Sequence, residues 1–224
     1  MKGPLLLCPR LFVLVGLFFA FGWTSAEAKK PAAKPATPPG PFSRVVVDAG
    51  HGGHDPGGIP QNIIQEKGVA LDVASRLRTH LEAAGLRVVM TRSDDVFVTL
   101  GERVRIANAE RNAIFVSIHF NSALRLEARG VEAYYGSAAG APLANRIQQK
   151  LLTITVNPDV RPVKRATFWV LRETKCPAVL VECGFLTNAE DAADASKESF
   201  REQLATEIGA AVVEYRSSLA AAGT

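Results

Sequence analysis

Short apolar segments alternate with segments of helical periodicity along most of this 224-residue chain. The apolar segments, such as AIFVSIHF, read as buried strands. Between them lie helical segments: one from about Glu66 carries Val69, Val73 and Leu77 on one face and has Gly85 as its stop. This alternation predicts an α/β fold of three layers, with a mostly parallel twisted sheet of about six strands and helices on both faces.

The remaining elements fit the same pattern. The six predicted strands contain the segments RVVVDAG, LRVVMTR, AIFVSIHF, GVEAYY, TFWVL and AVLVECGF. Thr99 and Glu102 have the spacing of a capping box and predict a helix start. Two further helices are predicted over Pro142–Leu152 and from near Ser196 to the end of the chain.

The amino-terminal 28 residues have the organisation of a secretory signal peptide. Lys2 and Arg10 precede a short apolar core, Leu11–Trp23, and Ala26–Ala28 has the small-x-small pattern of a cleavage site. The apolar core is shorter than the roughly 20 residues that a spanning helix needs. We therefore expect an exported protein, periplasmic or extracellular and associated with the cell wall. Retention of the leader as a membrane anchor is the alternative.

Residues 29–41 are rich in Pro, Ala and Lys and predict a disordered linker, which leaves residues 42–224 as one domain. Five of the 26 Lys and Arg residues and one of the 22 Asp and Glu residues precede Phe42, so the domain has 21 of each. Its formal charge is zero, and charge gives no argument for a nucleic-acid partner. Cys176 and Cys183 flank a predicted strand, about 23 Å apart at ~3.3 Å per residue, which is too far for a disulfide.

Ionisable side chains lie where predicted strands end. Asp48 ends the first strand and leads into a glycine-rich loop with His51 and His54; His119 ends the third strand, and Glu182 the last. In a parallel α/β sheet the carboxyl ends of the strands carry the functional site. We expect these side chains to converge on that edge together with Glu66, which opens the first helix at the end of the glycine-rich loop.

Two histidines, a glutamate and a water molecule form a common catalytic zinc shell. His51, Glu66 and His119 provide such a set, and Glu182 is then available as a general base. Gaps of 15 and 53 residues separate the three ligands and do not form a local zinc motif. The spacing alone leaves open whether a metal binds.

Several segments together resemble one enzyme family. DAGHGGHDPGG, LGERVRIAN, FVSIHFNS, GVEAYY and VECGFLTN occur in the order and at the spacing of the zinc-dependent N-acetylmuramoyl-L-alanine amidases called amidase_3, over about Val45 to Tyr215. The resemblance implies one Zn²⁺ per domain, bound by His51, Glu66 and His119, with Glu182 as the catalytic carboxylate. It also implies hydrolysis of the peptidoglycan amide between N-acetylmuramic acid and L-alanine.

The chain departs from some members of the family in one respect. Those members insert a long segment after the third strand, with a helix that blocks the zinc until a partner displaces it. Here only Asn121–Ala128 separates the third and fourth strands. We therefore expect an open site that needs no protein activator, in a monomer whose partner is its peptidoglycan substrate.

Three residues near the predicted ligands keep more than one interpretation. Asp48 either orients a ligand imidazole or ends its strand. His54 is either an additional ligand or a loop residue lining the cleft. Asn121 points to the same side as His119 and either contacts substrate or forms a turn.

Two other functions compete with the amidase. A zinc peptidase would cut within the stem peptide, and a wall-binding domain would have no activity. Analysis of the reaction products separates the first from the amidase. Retention of His51, Glu66, His119 and Glu182 argues against the second. The sequence does not indicate a physiological role in division, recycling or lysis, or a preferred stem peptide.

Overall fold

The computed structural model describes residues 41–59, 61–156 and 159–222. The predicted signal peptide and all but the last residue of the predicted linker lie outside the described residues. The strands form one six-stranded sheet in the order β2-β1-β3-β6-β4-β5. Their bounds are β1 Arg44–Ala49, β2 Arg87–Met90, β3 Ala113–Asn121, β4 Glu132–Tyr135, β5 Lys164–Arg165 and β6 Ala178–Phe185.

The sheet is mixed but mostly parallel. β1 pairs in parallel with β2 and β3, β3 with β6, and β4 with β5, whereas β4 and β6 are antiparallel. The predicted α/β class is confirmed. The carboxyl ends of β1, β3 and β6 are adjacent, because these three strands are neighbours running in one direction.

Six α-helices in the described part of the chain connect or cover the strands. Thr99 accepts a hydrogen bond from the amide of Glu102 at 3.2 Å, so the capping residue predicted from the sequence begins a helix. The predicted carboxy-terminal helix is preceded by a short separate one, with the break at Lys197. The helices are α1 Glu66–Ala83, α2 Leu100–Ala109, α3 Ala141–Leu152, α4 Trp169–Glu173, α5 Ala189–Ser196 and α6 Glu198–Ala222.

One side of the sheet, here called the packed face, is apolar along its whole length. Alternate residues of each strand point to it, and α1, α3 and α6 cover it with buried leucine, isoleucine and valine side chains. Cys183 lies in this core. Its strand members include Val45, Val47, Ala49, Ile114, Val116, Ile118, Phe120, Val179 and Val181.

The opposite side, here called the site face, changes character along the strands. Val46, Phe115 and Leu180 form a smaller core with residues of α2 and α4. Two or four residues further on, the same side carries Asp48, Ser117, His119 and Glu182, because successive side chains of a strand alternate between faces. The short helices α2 and α4 cover the apolar part, and the polar part lies at the carboxyl edge.

The prediction of a strand for TFWVL is wrong. The segment enters α4, and the strand between β4 and β6 in the chain is β5, Lys164–Arg165, instead. Phe168 and Trp169 are both exposed and the next two residues are both buried, which is a helical arrangement and not the alternation of a strand. A short run of large apolar residues is compatible with either element, so periodicity could not distinguish them.

Two local features shape the carboxyl edge. The register of β3 and β6 shifts after the His119–Glu182 pair, so that Asn121 pairs with Phe185 and β6 contains the extra residue of a bulge. Gly184 in this bulge has φ +148°. Between β3 and β4, residues 122–131 contain no helix.

Cys176 and Cys183 are free thiols in the described structure. In the described part of the chain, no helix has the length and apolar character needed to cross a membrane.

Candidate metal centre

Three side chains from separate elements meet at the carboxyl edge. His51 comes from the loop after β1, Glu66 from the first turn of α1, and His119 from β3, and their ligand atoms lie within 4.8 Å of one another. Glu66 Oε1 is 2.8 Å from His119 Nδ1, and Glu66 Oε2 is 3.1 Å from His51 Nε2. This set of donors could hold one metal ion.

The charges of the three side chains are strongly coupled. Burial disfavours the charged forms, but the hydrogen bonds outweigh it: the pKa of Glu66 falls to about 2, that of His119 rises to about 9, and that of His51 also rises. The carboxylate therefore remains ionised between two imidazoles. A metal ion bound here would replace the protons on these two rings, because a histidine ligand is neutral.

The backbone holds His51 in an unusual conformation. Its φ is +58°, in the left-handed region that non-glycine residues seldom adopt. Buried Arg103 donates to the carbonyl of His51 at 2.6 Å, and buried Arg92 donates to the carbonyls of Ala49 and Gly50 at 3.0 and 2.6 Å. The two guanidinium groups therefore fix the loop that presents the imidazole.

Asp55 orients the His51 ring. Its Oδ2 lies 2.8 Å from His51 Nδ1, and its Oδ1 accepts a hydrogen bond from the amide of Gly57 at 3.1 Å. A carboxylate on the second ring nitrogen fixes the tautomer and the direction of a ligand histidine. Sequence reasoning missed Asp55. The i, i+4 spacing from His51 was the only available signal, and it has this meaning only within the observed loop.

Asp48 contacts another set of groups. It accepts hydrogen bonds from Arg103 and Ser117 at 2.6 Å each and from Thr91 at 2.7 Å. Burial raises the pKa of Asp48, but Arg103 and the two hydroxyls outweigh that effect and lower it. Asp48 therefore ties the end of β1 to its neighbours, and its link to His51 runs through Arg103.

Glu182 lies beside the three-residue cluster and differs from Glu66. It pairs with His119 in the β3–β6 register, and its Oε2 is buried with no hydrogen-bond partner among the described residues. Burial raises the pKa of Glu182 to about 7, and the nearby carboxylates of Glu66 and Glu132 act in the same direction. A carboxylate with such a pKa can exchange a proton near neutral pH.

Glu132, a second residue that sequence reasoning missed, faces Glu182 across the antiparallel β4–β6 pair. Asn121 Nδ2 donates to its Oε2 at 2.8 Å, and Tyr134 Oη donates to the same oxygen at 3.0 Å. Asn121 also accepts the amide of Ser122 at 2.8 Å through its Oδ1. Asn121 therefore combines a turn contact with a contact next to the site.

His54 is exposed and lies outside the cluster. Its ring packs at 4.1 Å, centroid to centroid, against the ring of Phe97. The two histidines of the glycine-rich loop therefore make different contacts: His51 contacts the two carboxylates Glu66 and Asp55, and His54 contacts an aromatic ring.

Open space adjoins the cluster on two sides. A cavity of about 560 Å³ is lined by His51, His119 and Glu182 together with apolar side chains of the α2 and α4 regions. A shallower groove of about 210 Å³ is lined by the same three residues and by Asn121 and Ser122. A ligand can therefore approach the cluster and extend away from it in two directions.

A His/Glu/His cluster beside a carboxylate, at the open carboxyl edge of an α/β sheet, is the arrangement expected of a single-metal hydrolase. Comparison with known proteins identifies the family to which this hydrolase-like chain belongs. The chain belongs to the Amidase_3 family, described as N-acetylmuramoyl-L-alanine amidase, whose family model matches residues 45–214. The recognition of this family from the sequence motifs is confirmed.

Individual relatives agree with the family. The chain is 38% identical to N-acetylmuramoyl-L-alanine amidase LytC of Bacillus subtilis over 175 residues, which cover 76% of this chain and 35% of LytC. It is 30% identical to amidase AmiA of Escherichia coli over 238 residues, which cover 86% of this chain and 81% of AmiA. The chain thus spans about a third of LytC and most of AmiA.

A solved structure supports the fold. The catalytic domain of CwlV, an N-acetylmuramoyl-L-alanine amidase from Bacillus (Paenibacillus) polymyxa var. colistinus, matches with a TM-score of 0.73 and 37% identity. The match covers 78% of this chain and 98% of the CwlV domain. The domain described here therefore corresponds to one complete catalytic domain of that relative.

Proposed function

We propose that the protein is a zinc-dependent N-acetylmuramoyl-L-alanine amidase that hydrolyses the amide bond between the lactyl group of N-acetylmuramic acid and L-alanine in peptidoglycan. The observation that carries the proposal is the cluster of His51, Glu66 and His119 beside Glu182, whose Oε2 is buried and has no partner among the described residues. Family membership names the reaction, and the cluster supplies the groups that it needs.

The residues of the cluster suit zinc. Two imidazole nitrogens and one carboxylate oxygen are donors that Zn²⁺ prefers, and a fourth position stays open in catalytic sites. The loop leaves room for them: a Cβ at Gly57 would lie 2.6 Å from Glu66 Oε2 and 2.7 Å from His51 Cδ2. Zinc supplies Lewis-acid polarisation of a carbonyl and acidifies water.

Glu182 acts as the proton-transfer group. Its carboxylate accepts a proton from the attacking water and delivers it to the nitrogen of the leaving L-alanine. Its position opposite His119 in the β3–β6 pair places the carboxylate next to the proposed zinc site, where both steps take place.

The location of peptidoglycan outside the cytoplasm suggests how the whole chain is organised. Peptidoglycan amidases act outside the cytoplasm, and we propose that residues 1–28 direct export, residues 29–41 form a linker, and residues 42–224 form the catalytic domain. The exported protein then acts in the periplasm or outside the cell, at the cell wall.

We also propose that the domain acts as a monomer without an activator protein. The segment 122–131 is short and contains no helix, and open space adjoins the cluster on two sides. Purified protein should therefore degrade peptidoglycan by itself. A purified protein that is inactive alone and becomes active on addition of a partner would contradict the proposal that no activator is needed.

The role of Glu182 is tested by Glu182→Gln, which keeps the shape and removes the base. We expect zinc content to stay near one per chain while activity on purified peptidoglycan falls about 10²–10⁴-fold. Glu127→Gln, an exposed glutamate away from the cluster, is the matched control and should keep full activity. Full activity of Glu182→Gln with zinc bound would exclude Glu182 as the base.

A further inference from the structure

Large apolar side chains gather on one side of the metal centre. Phe97, Leu100, Phe168 and Trp169 are each 44–54% exposed. All four line the 560 Å³ cavity that also contains His119 and Glu182. Exposed apolar clusters of this kind mark ligand sites, and the volume is within the ~300–1,000 Å³ of pockets that hold small ligands.

Neighbouring groups hold the three aromatic rings of this cavity. His54 packs on Phe97 with centroids 4.1 Å apart, Tyr134 meets Phe168 edge-on at 5.3 Å, and the guanidinium carbon of Arg172 lies 4.8 Å from the centre of the Trp169 ring. Rings supported in this way present a fixed surface and lose little side-chain freedom when a ligand binds.

Away from the metal centre, the cavity has no unpaired lysine or arginine among the described residues that line it. Arg103, the one such cation, is in a buried ion pair with Asp48 at 2.6 Å. This part of the cavity is therefore apolar, and it suits an uncharged ligand.

The groove on the other side of the cluster is different. Asn121 and Ser122 line it. Asn121 Nδ2 already donates to Glu132 and Ser122 Oγ to Asn62 Oδ1, so a second amide N–H and the hydroxyl lone pairs remain for an extended peptide backbone. Asn121 bonds to Glu132, whose Oε1 lies 3.5 Å from Arg161 Nε and 3.8 Å from Lys164 Nζ, so these two cations are already paired with a carboxylate.

We propose that the apolar cavity binds the N-acetylmuramoyl sugar and that the stem peptide extends into the polar groove. The inference rests on the proposed amidase function, because that reaction requires a sugar on one side of the scissile amide and a peptide on the other. The amide-linked sugar is uncharged, its ring has apolar C–H faces, and its acetyl and lactyl methyl groups add apolar surface that aromatic rings can cover. The stem peptide has a polar backbone, which the amide and hydroxyl groups of the groove can bond and the apolar side chains of the cavity cannot.

The test compares two substrates that share the scissile amide: a disaccharide muropeptide, and a D-lactyl peptide that lacks the sugar ring. Trp169→Ala should lower kcat/KM for the muropeptide about tenfold, through KM, as expected for loss of one aromatic anchor. It should change kcat/KM for the lactyl peptide less than twofold. Equal losses on both substrates, or a loss confined to the lactyl peptide, overturn the assignment.

A pair of leucines provides a matched control. Leu100 in the cavity is 54% exposed, and Leu126, in a separate depression, is 52% exposed. Leu100→Ala should lower kcat/KM for the muropeptide selectively, whereas Leu126→Ala should leave both substrates unchanged. The same selective loss in both variants would mean that the cavity has no special role and would contradict the proposal.

Binding can be measured without catalysis in the Glu182→Gln background, because the sugar probe has an amide at the scissile position. The full chain has two tryptophans, Trp23 and Trp169. A GlcNAc–MurNAc disaccharide whose lactyl carboxyl is capped as a methylamide should change the fluorescence of the chain, and Trp169→Phe should abolish the change. The free stem peptide should give no such signal. A Trp169 signal from the peptide and none from the sugar overturns the inference. If the wild type cleaves neither substrate, the amidase proposal fails, and this titration still decides the sugar assignment.

Discussion

The packed face and the site face of the sheet consist of alternate residues of the same strands, yet they differ at the carboxyl edge. The packed face stays apolar from Val45 to Ala49 and is covered by three helices. The site face changes from Val46 to Asp48 within two residues, and the two short helices α2 and α4 cover its apolar part. The difference shows how one sheet can provide a stable core on one side and an accessible reaction site on the other.

The largest expected effect concerns the two histidines of the glycine-rich loop. His51→Ala removes one of three predicted ligands and should abolish both zinc retention and amidase activity. His54→Ala removes only the support of the Phe97 ring, so zinc content should stay near that of the wild type. Metal analysis of the two purified variants makes the comparison. Zinc loss in His54→Ala, or full zinc in His51→Ala, would contradict the assignment of ligands.

The buried polar groups of the site face should also support stability. Asp48→Asn leaves Arg103 charged and unpaired inside the protein, and we expect a loss of about 3–5 kcal/mol in the free energy of unfolding at pH 7. The folded pKa of Asp48 is lowered, so its contribution is fully present above the unfolded pKa of about 3.9 and is lost as the pH falls through the folded value.

Urea unfolding of the wild type and Asp48→Asn at several pH values tests this dependence. The difference in the free energy of unfolding between the wild type and Asp48→Asn should be constant above about pH 5 and shrink below pH 4. Glu102→Gln, which breaks an exposed pair with Arg105, is the control and should have a much smaller effect. A gap that widens with acid would show that Asp48 is not held in its ionised form.

The packed face should contribute to the stability of the fold and not to catalysis. Leu77 is completely buried on α1, and Leu77→Ala should cost about 2–5 kcal/mol in the free energy of unfolding while kcat/KM of the folded protein stays within about twofold of the wild type. Denaturant titration and steady-state kinetics give the two values. Leu124→Ala, 83% exposed, should alter neither. A large fall in kcat/KM for folded Leu77→Ala would show that the packed face influences catalysis, and it would contradict the distinction between the packed face and the site face.

A smaller effect is expected from the group that orients His51. Asp55→Asn weakens the contact with His51 Nδ1 and should lower zinc affinity about 10–100-fold, measured by competition with a chelator. Asp95→Asn is the matched control, since Asp95 bonds to Gly53 and Lys67 of the same region and to no imidazole. Equal losses in both variants would assign the effect to loop stability.

Much of the fold could be predicted because the strands have apolar character and the helices have periodicity. The α/β class, the start of α2 at Thr99 and the family follow from these patterns and from the motifs. The segment TFWVL was misassigned because five mostly apolar residues do not distinguish the start of a half-buried helix from a strand. The two-residue strand Lys164–Arg165 has no apolar signal at all.

Some residues of the candidate site could likewise be predicted from the sequence, and others could not. The rule that parallel strands bring their carboxyl ends together placed His51, Glu66, His119 and Glu182 on one edge, and the structure brings them together. The contacts of Asp55, Arg92 and Glu132 depend on a left-handed loop residue and on the antiparallel β4, and neither is visible in spacing along the chain.

The bond that the protein cleaves in peptidoglycan decides between an amidase and a peptidase. Mass spectrometry of peptidoglycan digested with the purified protein identifies this bond, with zinc content measured on the same sample. We expect stem peptides with free amino-terminal L-alanine, glycan strands with intact N-acetylmuramic acid, and loss of both products in Glu182→Gln. Cleavage within the stem peptide, or no cleavage by zinc-loaded protein, would contradict the amidase proposal.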